Sequence, residues 1–258
     1  MPHVWRSALL GALGFGLLLG AHLAFVIGFY PEWVEQQGAL LKVARTLGGV
    51  IGREAELATR SDFAYVASQQ FFKFANSLGT LVAVLFAVGA VATEASRRTL
   101  EIWLALPVPR WRLLCERYVA GLLALAVPLL GTSACASLIA RAVGVEIDLA
   151  PALMARAALH ELTLLAALFS LTVVVSVVAT HAIRVALVVL GLAVGMYAIY
   201  LMPVVTRYSL YRTTDTWTFI ELQEGADFLP WAKALPLIGA SAALLAVALA
   251  LFQRRLPS

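Results

Sequence analysis

The sequence predicts an all-α polytopic membrane protein: six transmembrane helices, amphipathic outer helices, and a short helix in a cytoplasmic loop. Three observations predict it. Of 258 residues, 62% are hydrophobic and 13% charged, against roughly 25% charged in an ordinary soluble domain. The apolar residues fall into six runs, each near the roughly 17–25 residues a spanning helix needs. Most charged residues gather between those runs.

The first run covers residues 8–30. It has the polar start and apolar core of a signal sequence and is read here as a retained anchor. The others cover 72–93, 119–140, 160–180, 185–205 and 232–252. Charge gives them a direction. With both termini inside, the inner regions carry Arg6, Arg97, Arg98, Arg110, Arg112, Arg117, Arg184, Arg254 and Arg255 against Glu94, Glu101 and Glu116. The outer regions hold the remaining ten basic and twelve acidic residues. Basic residues beside short loops mark the inner side, so the expectation is a multi-pass protein of the cytoplasmic (inner) membrane with both termini cytoplasmic.

Residues 31–71 form the first outer region. Leu40, Leu41, Val43, Ala44, Leu47, Val50 and Ile51 recur close to helical spacing, which predicts amphipathic helices resting on the outer leaflet or capping the bundle. Contact with a substrate or partner is the other reading. A second helix starts after Ser61, which with Ala64 three residues on makes half a capping box. The second outer region, 206–231, mixes Tyr208, Tyr211, Trp217 and Phe219 with Glu221, Glu224 and Asp227, and ends at Trp231. Aromatic residues favour the headgroup level, so re-entrant helices are candidates here. Tyr197 and Tyr200 in the fifth run, with the acidic trio Glu221, Glu224 and Asp227, are candidate outer gate or substrate contacts. The trio suits a cationic group; a solvated loop is its plainer reading.

Catalytic patterns fail one by one. Lys42, Lys73 and Lys233 are the lysines, and none follows a glycine as a phosphate-binding loop requires. Any ATP and Mg2+ used must be bound by another chain. His160 and Glu161 begin a zinc-protease pattern that Leu164 ends. His3, His22 and His181 lie in other segments, and His22 reads as a bond to a neighbouring helix. Ser133 has no base beside it. Cys115 and Cys135, about 30 Å apart along a helix, read as unpaired. No catalytic, cofactor-binding or metal-binding residue is predicted, and no nucleic-acid partner. Within the runs the polar marks are Asn76, Thr80, Thr132, Ser133, Ser170, Thr172 and Ser176, suited to bonds within a helix or to its neighbour. Gly16 with Gly20, and Gly191 with Gly195, have close-packing spacing, read chiefly as packing within the chain. Pro128 bends the third helix.

The loop 94–118 is the most informative stretch. Thr99 caps a short helix whose apolar edge is Leu100, Trp103, Leu104 and Leu106, with Arg98 and Glu101 on other faces. Pro107 and Pro109 halt it, and Arg110, Trp111 and Arg112 open the next helix. Such an element suits docking on another protein, or anchoring at lipid headgroups.

Glu94, then Arg98-Thr99-Leu100-Glu101, Leu104, Leu106-Pro107-Val108-Pro109-Arg110 and Arg117 together resemble the signature of type-2 ABC exporter permeases, the ABC-2 family of transmembrane subunits. The usual pattern has glycine where Arg98 stands, a hydroxyl residue at Pro109 and lysine at Arg117. The stretch before the first span, residues 1–7, is short for the family's elbow helix. The resemblance implies a single domain over 1–258 whose 94–118 loop is a cytoplasmic coupling helix seated on a separate ATPase subunit. Its coupling residues are then Glu94, Arg98, Thr99, Leu100, Glu101, Trp103, Leu104, Pro107, Pro109 and Arg110. It further implies two copies of an ABC ATPase subunit that bind ATP and Mg2+, and a second permease copy or related permease. Membrane lipids surround the assembly, and an outer-side accessory protein is a candidate partner. The implied function is that of a permease subunit of an ATP-driven exporter, not itself an enzyme. The alternative is a non-transporting membrane anchor that recruits an outer-side partner.

Overall fold

A computed structural model describes residues 2–96, 99 and 108–254, and every regular element among them is helical. Helix α1 (Pro2–Gly28) is followed by α2 (Tyr30–Leu47) and α3 (Gly49–Leu57). The second span is composite: α4 (Asp62–Val66), a π-helical stretch (Ala67–Gly79) and α5 (Thr80–Val88). A short α6 (Ala92–Ser96) comes next, then α7 (Arg110–Ala134), α8 (Ala136–Val143), α9 (Pro151–Val178) and α10 (Ala182–Leu201). Two 3-10 turns (Thr206–Tyr208 and Leu210–Thr214) lead to α11 (Thr216–Glu224) and α12 (Trp231–Arg254). Six of these segments are long and apolar enough to cross a membrane. The chain is a polytopic, all-α membrane protein.

The second span starts at Asp62, ten residues before the expected boundary at residue 72, because its polar residues find partners. Gln70 Nε2 donates to the Leu19 carbonyl (3.2 Å), and its oxygen lies 2.7 Å from His22 Nδ1. Asn76 donates to the Phe72 carbonyl (3.0 Å) and accepts from the Thr214 hydroxyl (3.1 Å). A buried polar group so satisfied no longer opposes burial. Pro109 and Pro151 likewise start α7 and α9 earlier than hydropathy alone predicts, since a proline fits at a helix start and not inside.

The outer stripe expected over residues 40–51 is not one helix. It breaks at Gly48 and Gly49, whose φ angles are +64° and +58°, a conformation that glycine adopts without a steric penalty. Arg45 Nε and Glu56 Oε1 then meet at 2.8 Å across the break. Ser61 accepts from the Ala64 N–H at 3.1 Å, as the half capping box predicts.

Helix α9 is the most buried span and packs against α12, α7 and α5. Fully buried Phe169 faces Gly121 of α7. Helix α1 lies along α7, where Gly16 approaches Pro128 and Gly20 approaches Thr132. A Cβ at Gly191 or Gly195 on α10 would meet no atom of the described residues within 4 Å, so among these residues the expected intrachain packing is seen for the first glycine pair alone. Much of α1, α10 and α12 stays uncovered, with Leu17, Leu187 and Leu235 exposed. At one end of the bundle Trp5 Nε1 donates to Glu116 (3.3 Å), and Arg110 Nη1 donates to the Gln253 carbonyl (3.3 Å). This is the Arg110 end. Helices α2, α3 and α11 lie at the other, the Glu54 end.

Candidate functional site

At the Arg110 end, α5 stops at Gly89 and leaves carbonyls that no further turn can use. Arg117 of α7 takes them. Its Nη1 donates to the Ala90 carbonyl at 2.6 Å and the Gly89 carbonyl at 3.2 Å. Its Nη2 lies 3.4 Å from Glu94 Oε1. The negative end of a helix and a carboxylate thus hold one buried cation. Glu94 Oε2 also accepts from the Thr99 hydroxyl, and the Thr99 N–H donates to the Glu94 carbonyl at 3.0 Å.

Ser96 ties the same flank to the α9–α10 junction. Its hydroxyl contacts the Ala92 carbonyl (2.8 Å) and the Thr180 carbonyl (3.2 Å), and its oxygen accepts from the Ala182 N–H (2.9 Å). Ser176 of α9 accepts from the Ala92 N–H at 2.8 Å. Beyond the loop, Pro109 (φ −61°, ψ 133°) sets the start of α7, and Arg110 reaches α12 through Gln253. Arg98, Leu100, Glu101, Trp103, Leu104 and Pro107 lie outside the described residues, as does the expected coupling helix itself. Glu94 and Thr99 are brought together, and Arg117 joins them. Arg117 was marked in the sequence as part of the family signature, in the place of its lysine, but not among the coupling residues.

At the Glu54 end, the Tyr200 hydroxyl donates to Glu54 Oε1 at 2.7 Å. Tyr197 lies 6.2 Å from Tyr200 and 5.5 Å from Tyr211, ring centre to ring centre. Glu54 is only 7% exposed. Burial pushes its carboxyl up from the ordinary value; Thr216 and Tyr200 pull it down, and Asp215 pushes it up again. Its Oε2 and the Thr216 hydroxyl, though near each other, form no well-aligned hydrogen bond. The acidic trio does not converge on these tyrosines. Glu221 pairs with Lys233 at 2.9 Å, Glu224 ends α11 in an exposed position, and Asp227 accepts from Arg156 through its backbone carbonyl. The carboxylate beside Tyr200 is Glu54, which sequence reasoning left unmarked on an amphipathic helix. One signal for it existed: Val50, Glu54 and Leu57 share one helical face.

A cavity of about 270 Å³ opens beside Glu54, between α2, α3, the π-helical stretch and α10. Deeper in α9, Glu161 is fully buried and neither carboxylate oxygen has a hydrogen bond. The polar residues inside the spans are therefore not limited to the hydroxyls and asparagine expected from sequence: Gln70, Arg117, His160 and Glu161 are buried there too. His160 Nε2 lies 2.8 Å from the Thr213 carbonyl. Cys115 and Cys135 are both free. Among the described residues, no group of three or more His, Cys, Asp or Glu side chains is placed to hold a metal ion.

The sequence pattern of a family described as ABC-2 family transporter protein matches residues 5–255. No curated protein matches the chain. Six spans, a charged segment between the second and third, and a match over nearly the full length lead to one conclusion: the chain belongs to the ABC-2 family of transporter proteins, as a non-catalytic membrane-spanning subunit.

Proposed function

We propose that this chain is the permease subunit of an ATP-driven exporter in the cytoplasmic membrane, and that a separate ATPase subunit drives it through residues 97–107. The observation that carries this reading is the way both flanks of that segment are fastened. Glu94 reaches Arg117 of α7, Ser96 reaches Thr180 and Ala182 at the α9–α10 junction, and Arg110 reaches Gln253 of α12. A push on the segment is thereby delivered to several spans at once. The arginine balance supports a cytoplasmic Arg110 end with both termini on that side. Two ATPase copies would supply ATP and Mg2+. The uncovered apolar face of α10, with Gly191 and Gly195 open, supports a second permease copy or a related permease against it.

The test is co-purification of the tagged ATPase with the full chain carrying Trp103→Ala and Leu104→Asp together. At equal membrane levels, a loss of roughly tenfold in bound ATPase is expected if these apolar residues anchor the contact. Wild-type amounts of ATPase on the variant would overturn the docking role. Orientation is tested separately with Arg112→Cys in a chain whose native cysteines are serine. The thiol should react with an impermeant reagent only after the cytoplasmic side is opened, and reaction in intact spheroplasts would reverse the topology.

A further inference from the structure

We infer that the cavity at the Glu54 end binds the headgroup of a zwitterionic aminophospholipid, with its ammonium against Glu54 and its phosphate toward Lys73. The cavity wall holds a carboxylate more than nine-tenths buried, and Tyr200 satisfies one of its oxygens. The other oxygen, Oε2, has only the nearby Thr216, without a well-aligned hydrogen bond, and the hydroxyl of Ser68 in the same wall has none either. Buried acceptors left in that state are costly, and a ligand that brings N–H donors removes the cost. For a carboxylate the best donor is a cation. Trp33, Tyr197 and Tyr200 line the same space, and aromatic faces favour cations as well.

Lys73 supplies the opposite charge. Its Nζ donates to Gln69 at 3.1 Å, and the residue stands exposed while still lining the cavity, near enough for the Glu54 charge to act on it. A cation and an anion within one small apolar cavity fit a ligand that carries both signs side by side. Phosphatidylglycerol would face the buried Glu54 without a cation to offer, and a choline headgroup has no N–H for the carboxylate.

Size decides how much of the lipid enters. About 270 Å³ is just under the roughly 300 Å³ at which small-molecule sites begin, so a headgroup fits and two acyl chains do not. The rim gives the chains somewhere to lie: Leu40, Val43 and Ile51 are 39%, 60% and 53% exposed and line the cavity. Ser68, Gln69 and Lys73 come from the π-helical stretch, a rare winding that concentrates at functional sites. The assignment does not depend on ATP coupling.

The experiment uses the full chain purified in detergent and exposed to equal amounts of phosphatidylethanolamine, phosphatidylcholine and phosphatidylglycerol with identical acyl chains. Retained lipid is read by native mass spectrometry. Phosphatidylethanolamine should be retained roughly tenfold over each of the others, and Glu54→Gln should abolish that preference. Ala55→Phe, which fills the cavity and leaves its charges in place, should lower retention of phosphatidylethanolamine alone. Because each readout is a ratio within one sample, a smaller yield of folded protein does not imitate the result. No preference in the wild type, an unchanged ratio in Glu54→Gln, or an unchanged ratio in Ala55→Phe would overturn the assignment.

Discussion

Arg117 lies 3.4 Å from the Glu94 carboxylate but only 2.6 Å from the Ala90 carbonyl. The shorter bond goes to the backbone, so the end of α5 holds this arginine more firmly than the acid does. Arg117→Ala strands buried carbonyls and should cost about 2 kcal/mol. Glu94→Gln leaves those carbonyl bonds in place and removes a longer, partly exposed pair, for about 1 kcal/mol or less. Arg117→Lys should fall between, because a compact ammonium lacks the spread of the guanidinium fork that reaches the carbonyls and Glu94 from separate nitrogens. Thermal unfolding in detergent ranks the three, and equal losses for the alanine and glutamine variants would put the carboxylate first.

Gly121 and Phe169 set the distance between α7 and α9. A Cβ at Gly121 would sit 2.6 Å from the Phe169 ring, which is fully buried and has nowhere to go. Gly121→Ala should therefore destabilise by about 1–3 kcal/mol. Gly131→Ala on the same helix meets open space and should be neutral or stabilising by up to about 1 kcal/mol. Adding Phe169→Leu to Gly121→Ala should recover part of the loss, whereas strictly additive losses would separate the two residues.

The break between α2 and α3 rests on backbone geometry. Gly48 has φ +64° and ψ −164°, a region almost closed to side-chain-bearing residues, so Gly48→Ala should cost about 1–3 kcal/mol. Gly38→Ala, inside α2 with free space around it, should stabilise by up to about 1 kcal/mol. Hydrogen exchange of the α3 amides reports the first change, and unaltered protection there would mean the break tolerates a Cβ.

Glu54 gives stability a pH dependence of defined sign. Burial raises its carboxyl in the folded chain above the ordinary 4.5, so between those two values the folded state binds more protons than the unfolded state. Stability then falls as pH rises from about 4.5 through the folded value and levels off above it. Glu54→Gln removes that component. The variant should gain on the wild type as pH rises through this window and keep the gain at neutral pH. Melting curves in detergent from about pH 4 to pH 8 supply the comparison, and parallel curves would remove Glu54 as the source.

The six spans were legible because lipid-facing helices must be apolar regardless of what they pack against. Their edges were less so. The second span was expected to start later than it does because Gln69 and Gln70 read as too polar, and Gln70 is tolerated through His22 and Leu19, which lie far away in sequence. No local pattern announces the π winding of Ala67–Gly79. Tyr197 and Tyr200 were visible as a pair, but the carboxylate that Tyr200 bonds is Glu54 of α3, separated from it by 146 positions. At the Arg110 end, Glu94, Thr99 and Arg117 were readable as one motif because they are close in sequence. The Ser96–Thr180 contact was not, since it joins residues separated by 84 positions.

One of those long-range contacts bears on how the protein is made. His181, the residue just before α10, gives that helix no side-chain cap, and the Ala182 amide is satisfied by Ser96, 86 positions earlier. The fifth span thus borrows its starting point from an older part of the polypeptide. During synthesis from the amino end, the lender is already present when the borrower emerges. A chain cut between them, or expressed as separate halves, would have to find this registration by diffusion.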